Sequence, residues 1–241
     1  MNLEKLIIRN AAFLFAAFAV FTAWGFWPYY SDLRNPPYPM TVVTHIHAFL
    51  MSTWVVILVI QPLLVRLNKR PLHKLVGKSC YVLVPLILIS GVLATHRSTG
   101  TLEPSNAFYY HAYLHSILTL VAFGVLFALA IKNRSNVALH SRYMICTIFP
   151  LFSPVLSRIL MNHFGFLAPV LPTLSGNPLW QVFAFVLADA MLVTFAIVDF
   201  RFSNRRDAFP IALGVMLLFH FSDFTLYRIP LIRSFVDFAM S

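Results

Sequence analysis

The sequence predicts an all-α, polytopic membrane helix bundle of about seven transmembrane helices, and three observations carry that prediction. Of 241 residues, 59% are hydrophobic and only 11% charged, with a mean hydropathy of +0.78. Soluble domains hold about 45–50% apolar and about 25% charged residues. The apolar residues gather into runs of about 20, each long enough to cross a ~30 Å hydrocarbon layer as a helix. The net charge of +10 would suggest nucleic acid in a soluble domain. Here the basic residues sit between the apolar runs, where they orient a membrane protein, and nucleic acid is excluded as a partner.

The runs fall at about 7–27, 41–65, 76–95, 107–131, 140–161, 179–199 and 208–226. The first has no small-residue cleavage site and leads straight into Trp27, Pro28, Tyr29 and Tyr30, an interfacial aromatic group, so it reads as a span and not as a cleaved signal. Lys5, Arg9, Arg66, Lys69, Arg70, Lys74, Lys78, Lys132, Arg134, Arg142, Arg201, Arg205 and Arg206 fall on one side of this topology. Arg34, Arg97, Arg228 and Arg233 fall on the other. That asymmetry puts the N-terminus in the cytoplasm and the C-terminus outside. Cys80 and Cys146 lie near the cytoplasmic starts of their runs, where thiols stay reduced, so no disulfide is expected. The connection at 165–178 is apolar and proline-rich, and the last fifteen residues read as a segment lying along the outer membrane surface. No stretch is long or polar enough for a separate soluble unit, so residues 1–241 form one integral membrane domain.

Histidines give the chain an internal repeat. From His47 the next marks are His73 and His96, at separations of 26 and 23; from His115 they are His140 and His163, at 25 and 23. Duplicated hairpins at about 41–96 and 107–163 follow, and Pro85 and Pro150 occupy similar places in them, where matching kinks would open a cavity between the hairpins. His45, His47, His111 and His115 sit in the first turns of the second and fourth runs, and His47 and His115 lie about 10 Å inside the outer boundary. His111 and His115, four apart, share a helix face; His45 and His47 point about 200° apart, and the repeat selects His47. Ionisable groups at such depth face the bundle interior and mark sites.

Three chemistries use such a set. His-x-x-x-His supplies two ligands to zinc, iron or copper, with His47, His220 and Asp223 as further candidates on the same side. Two imidazoles on facing helices hold a b-type haem. Interfacial histidines can also simply hydrogen-bond loops and headgroups. Arg158, inside the fifth run, needs a partner: Asp189, Asp223 or an anionic ligand. His220 and Asp223, three apart, share a face and can orient a ligating imidazole.

The segments HIHAFLM, PLHKLVG, YYHAYLHS and ALHSRYM, placed at the starts of runs two to five, resemble the layout of the transmembrane ascorbate-dependent b-type cytochromes. That resemblance, over about residues 41–163, implies an outer haem on His47 and His115 and an inner one on His73 and His140. Lys74 and Lys78 hold His73 near the water interface, and there His73 and His140 read instead as helix caps or as contacts to lipid phosphate beside Lys74 and Arg142. The chain is also similar to a group of uncharacterised bacterial seven-helix membrane proteins, through Trp54, Gln61 and the His140, Arg142, Met144 triplet. That likeness implies a bacterial inner membrane. The expectation is a membrane redox protein with haem b bound by His47 and His115, with His111, His45 and Arg158 nearby and a quinone or other redox protein as partner. The rivals are a zinc, iron or copper enzyme such as a lipid hydrolase, and a transporter or subunit of a membrane complex whose histidines relay protons.

Overall fold

A computed structural model describes residues 3–32, 40–104 and 106–241, with side chains described from residue 10 onward. Arg34 of the charge count lies outside the described residues, as do the side chains of Lys5 and Arg9. The elements are α1 (Leu3–Ser31), α2 (Val42–Arg66), α3 (Arg70–Thr99), α4 (Ala107–Lys132), α5 (Val137–Cys146), α6 (Phe149–His163), α7 (Gln181–Ser203), α8 (Ala208–Thr225) and α9 (Pro230–Met240). Among the described residues seven spans are long and apolar enough to cross a membrane, α5 and α6 together making the fifth. The chain is a membrane-spanning helical bundle in contact with lipid.

Local chemistry sets the helix starts. Thr41, Asn106, Asn136 and Asp207 each turn a side-chain oxygen onto backbone N–H groups of the helix that follows, satisfying donors that a first turn leaves open. α3 begins six residues ahead of its apolar run because Pro71 sits in the first helical turn, where its missing N–H is no loss. Asn68 and Asn204, both with positive φ, close the turns after α2 and α7. The 165–178 connection folds as a 3₁₀ turn (Gly165–Val170) and a two-strand hairpin, β1 (Thr173–Leu174) and β2 (Asn177–Pro178). Its two-residue turn, Ser175 and Gly176, carries positive φ at both positions, as a type I′ turn requires.

α4 stands at the centre, packed against α3, α5, α6 and α8, while α1 closes against α2 and α6. Trp54 of α2 is fully buried, its ring edge-on to Phe123 and Phe127 of α4 at 5.4 and 5.6 Å. Ile87, Leu126, Cys146, Phe149, Leu192 and Met216 fill the rest of the core. α1 meets α6 at Gly25, where an added Cβ would lie 2.9 Å from the Val155 carbonyl oxygen.

The two hairpins differ where the repeat predicts matching kinks. α3 runs unbroken through Pro85, whereas the corresponding span is interrupted at Thr147 and Ile148, just ahead of Pro150. Pro150 has no N–H to return to the Cys146 carbonyl, so the helix restarts there as α6. At the opposite end from the clustered histidines, Arg142 is not a loop charge. It is fully buried and grips Asp199 of α7 through two bonds, Nε to Oδ2 at 2.7 Å and Nη2 to Oδ1 at 2.6 Å, with Nη1 donating to the Ala138 carbonyl. A contact between Arg142 and lipid phosphate is therefore excluded. Helix capping by the neighbouring histidines is also corrected: Asn136 caps α5, while His140 Nδ1 bonds the Ala130 carbonyl of α4 at 2.9 Å. His73 meets Gln61 through its backbone carbonyl, at 3.3 Å, and α3 starts after Lys69 with no side-chain cap.

Candidate functional site

Asn106 fixes the start of α4, and from that start His111 and His115 fall on the face turned to α8. Asp223 of α8 lies between them, 1% exposed. Its Oδ2 is 3.1 Å from His111 Nε2 and its Oδ1 is 2.9 Å from His115 Nδ1. A carboxylate only accepts, so both rings donate their N–H to it from those atoms. His115 is then left with an acceptor at Nε2, and the Ser153 hydroxyl of α6 donates to it at 2.8 Å. His111 is left with an acceptor at Nδ1, which is buried and has no partner among the described residues. Gln181, at the head of α7, places its amide nitrogen 3.2 Å from His111 Nε2. Two N–H donors cannot bond each other, so the amide is read turned, with Oε1 sharing the His111 proton with Asp223. The result is one chain of polar atoms drawn from four helices: Ser153, His115, Asp223, His111 and Gln181.

The walls of this chain are aromatic. Tyr227 stands edge-on to His111 at 5.5 Å, and Phe185 and Phe219 lie 5.9 and 5.7 Å from His115. α9 covers the same end: Val236 is fully buried against Tyr109, Tyr110, Tyr113 and Tyr227, and Asp237 accepts the Tyr110 hydroxyl at 3.2 Å. Leu231, Phe235 and Phe238 remain exposed on the other side of α9, an amphipathic arrangement suited to a membrane surface.

The other candidates divide around this cluster. His47 does not join it: its Nδ1 bonds Ser90 of α3 at 3.0 Å, and its ring rests beside Gly91. His45 is exposed, with Tyr30 edge-on at 5.8 Å. His220 shares α8 with Asp223 but faces α7, where its Nδ1 meets Asp189 Oδ2 at 3.0 Å and its ring stacks on Phe185 at 3.8 Å. Arg158 therefore finds neither Asp189 nor Asp223. Its Nη1 donates to the Pro154 carbonyl, and its guanidinium lies 4.8 Å from the Phe26 ring centre and 5.9 Å from that of Tyr29. Ser153 and Gln181 escaped the sequence reading because each is a single neutral polar residue in or beside an apolar run.

Among the described residues no three His, Cys, Asp or Glu side chains converge in a way that would hold a metal ion. A haem between His47 and His115 does not fit the side chains as they stand: both ring nitrogens of His115 are engaged, and His47 turns toward α3. An apolar cleft opens between α1, α6 and α7, lined by Phe18, Phe21, Phe152, Leu156 and Met191 among others, and another runs along α3 and α4 past Leu88 and Gly124. Neither touches a histidine. Compared with protein-family models, curated proteins and solved structures, the chain gives no match. The resemblance to b-type cytochromes thus stands on the quoted residues alone.

Proposed function

We propose that this chain handles protons within the membrane, as a transporter or as the proton-relaying subunit of a membrane complex. The observation that supports the reading is Asp223, fully enclosed yet accepting from two imidazoles, one of which reaches on to Ser153. A proton taken up at His115 Nε2 releases the Nδ1 proton to Asp223. The carboxyl then holds that proton, its other oxygen still accepting the Nε2 proton of His111, and returns it to His115 Nδ1 when Nε2 gives its own proton up toward Ser153. That transfer runs along a contact of 2.9 Å, within reach for direct proton exchange. Ionisable chains of this kind inside bundles are the means by which pumps and transporters move protons. The interrupted span points the same way, since transporter sites are commonly built beside discontinuous helices.

The test is charge displacement on a pH jump, recorded from proteoliposomes on a supported membrane. The wild type is expected to give a transient that Asp223→Asn abolishes and the exposed-site control Arg97→Gln keeps. Equal transients in wild type and Asp223→Asn would overturn the proposal. An absorption spectrum of the same preparation, oxidised and reduced, separates the redox reading: a Soret band lost in His115→Ala would replace the relay with haem ligation. Elemental analysis separates a metal enzyme in the same way.

A further inference from the structure

Among the described residues, the charges embedded in this bundle are matched, with one exception. Arg142 holds Asp199, Asp223 holds two histidines, and Asp189 holds His220. Arg158 has no such partner: among the described residues no carboxylate lies within ion-pair distance of it. Its fork of five N–H donors uses one, on the Pro154 carbonyl of its own helix, and the faces of Phe26 and Tyr29 flank the rest. The neighbouring hydroxyl of Ser157 is buried with no partner among the described residues. The guanidinium thus sits half-buried between α1 and α6, with unspent donors and, among the described residues, no anion of the protein's own.

We infer that Arg158 is a binding site for a single oxyanion, a carboxylate or phosphate. A planar guanidinium matches either group through two parallel N–H bonds, and a low-polarity setting strengthens them. Arg158 lies five residues below the end of α6 at His163, about 7–8 Å by helical rise. A long arginine side chain covers that depth, so the anion is either the phosphate of a lipid headgroup or a small anion from solution. The site shares no hydrogen bond with Asp223, so it stands or falls apart from the proton relay.

The experiment measures melting of the full-length protein in nanodiscs of phosphatidylcholine, with two additions made separately: sodium phosphate or acetate in the buffer, and phosphatidylglycerol in the bilayer. Wild type is expected to melt several degrees higher in at least one arm, because a ligand bound only by the folded state raises its stability. A response to phosphatidylglycerol alone identifies a lipid headgroup, and a response to the soluble salts identifies a free anion. Arg158→Gln is expected to weaken the response at least ~10-fold in concentration, Arg158→Lys to keep part of it, and Arg233→Gln to keep all of it. A wild type indifferent to both arms, or an Arg158→Gln response equal to the wild type's, overturns the site. Should Arg158→Gln fail to fold, the wild-type titrations and Arg158→Lys still decide.

Discussion

Replacing Asp223 by Asn keeps the size of the side chain and removes its charge, so its effect can be worked from the two bonds alone. A hydrogen bond to a charged group contributes about 1.5–3 kcal/mol and a neutral one about 0.5–1.5. Two such bonds, to His111 and His115, place the loss at about 2–3 kcal/mol. The amide also brings an NH₂ group that must face a lone pair, and only one ring can supply it without penalty. His115 can exchange its proton to Nε2, because the Ser153 hydroxyl at 2.8 Å is able to turn and accept. His111 cannot, because its Nδ1 is buried without a partner and a proton there would be stranded. The new amide therefore turns its nitrogen to His115, and His115 changes tautomer while His111 does not. Unfolding in mixed micelles measures the first effect, and histidine ¹⁵N shifts of the labelled protein measure the second. A loss under about 0.5 kcal/mol, or a tautomer change at His111 instead of His115, would refute the geometry assigned to this cluster.

Further outcomes follow from the same contacts. Arg142→Met strands a buried Asp199 and is expected to cost about 3–5 kcal/mol, whereas the double change with Asp199→Leu recovers much of it, as apolar replacement of a buried pair does; thermal unfolding of the single and double variants checks this. Gly25→Ala meets the Val155 carbonyl oxygen at 2.9 Å, and crowding of about 1–3 kcal/mol outweighs a helix-propensity gain of about 1. Gly214→Ala meets nothing within 4 Å and should stabilise, so melting shifts of opposite sign are expected from the two. Cys80 and Cys146, 4% and 0% exposed, should resist a maleimide until the protein unfolds. In a variant lacking both, single cysteines at positions 70 and 97 should label with an impermeant reagent from opposite faces of intact vesicles, position 97 from outside if the basic loops set the orientation.

The spans were legible because burial in lipid demands long apolar runs, and an Asn or Thr immediately ahead of one marks its first turn, as Asn106 does for α4. The pairing of His111 with His115 was legible because both lie on one helix. What joins them was only half visible. Asp223 was a candidate by depth, yet its place between the two rings depends on α8 packing beside α4 across 108 residues of chain. Arg142 was misplaced for a related reason: a basic residue near the start of a span reads as a loop charge until Asp199, 57 residues away, turns up against it. The repeat of histidines was a true feature of the sequence with unequal consequences, since His115 entered a network and His47 settled against Ser90. Pro150 broke its helix where Pro85 left α3 continuous, because the surroundings of a proline decide whether its freed carbonyl ends the helix.

That interruption divides the fifth span into two halves with separate fastenings. α5 is fastened by the Arg142 clamp at one end of the bundle. α6, fifteen residues long, carries both Ser153, the end of the proton chain, and Arg158, with its open guanidinium, on one rigid rod. Any tilt of that rod about Thr147 and Ile148 would carry Ser153 and Arg158 together, away from His115 and along Phe26.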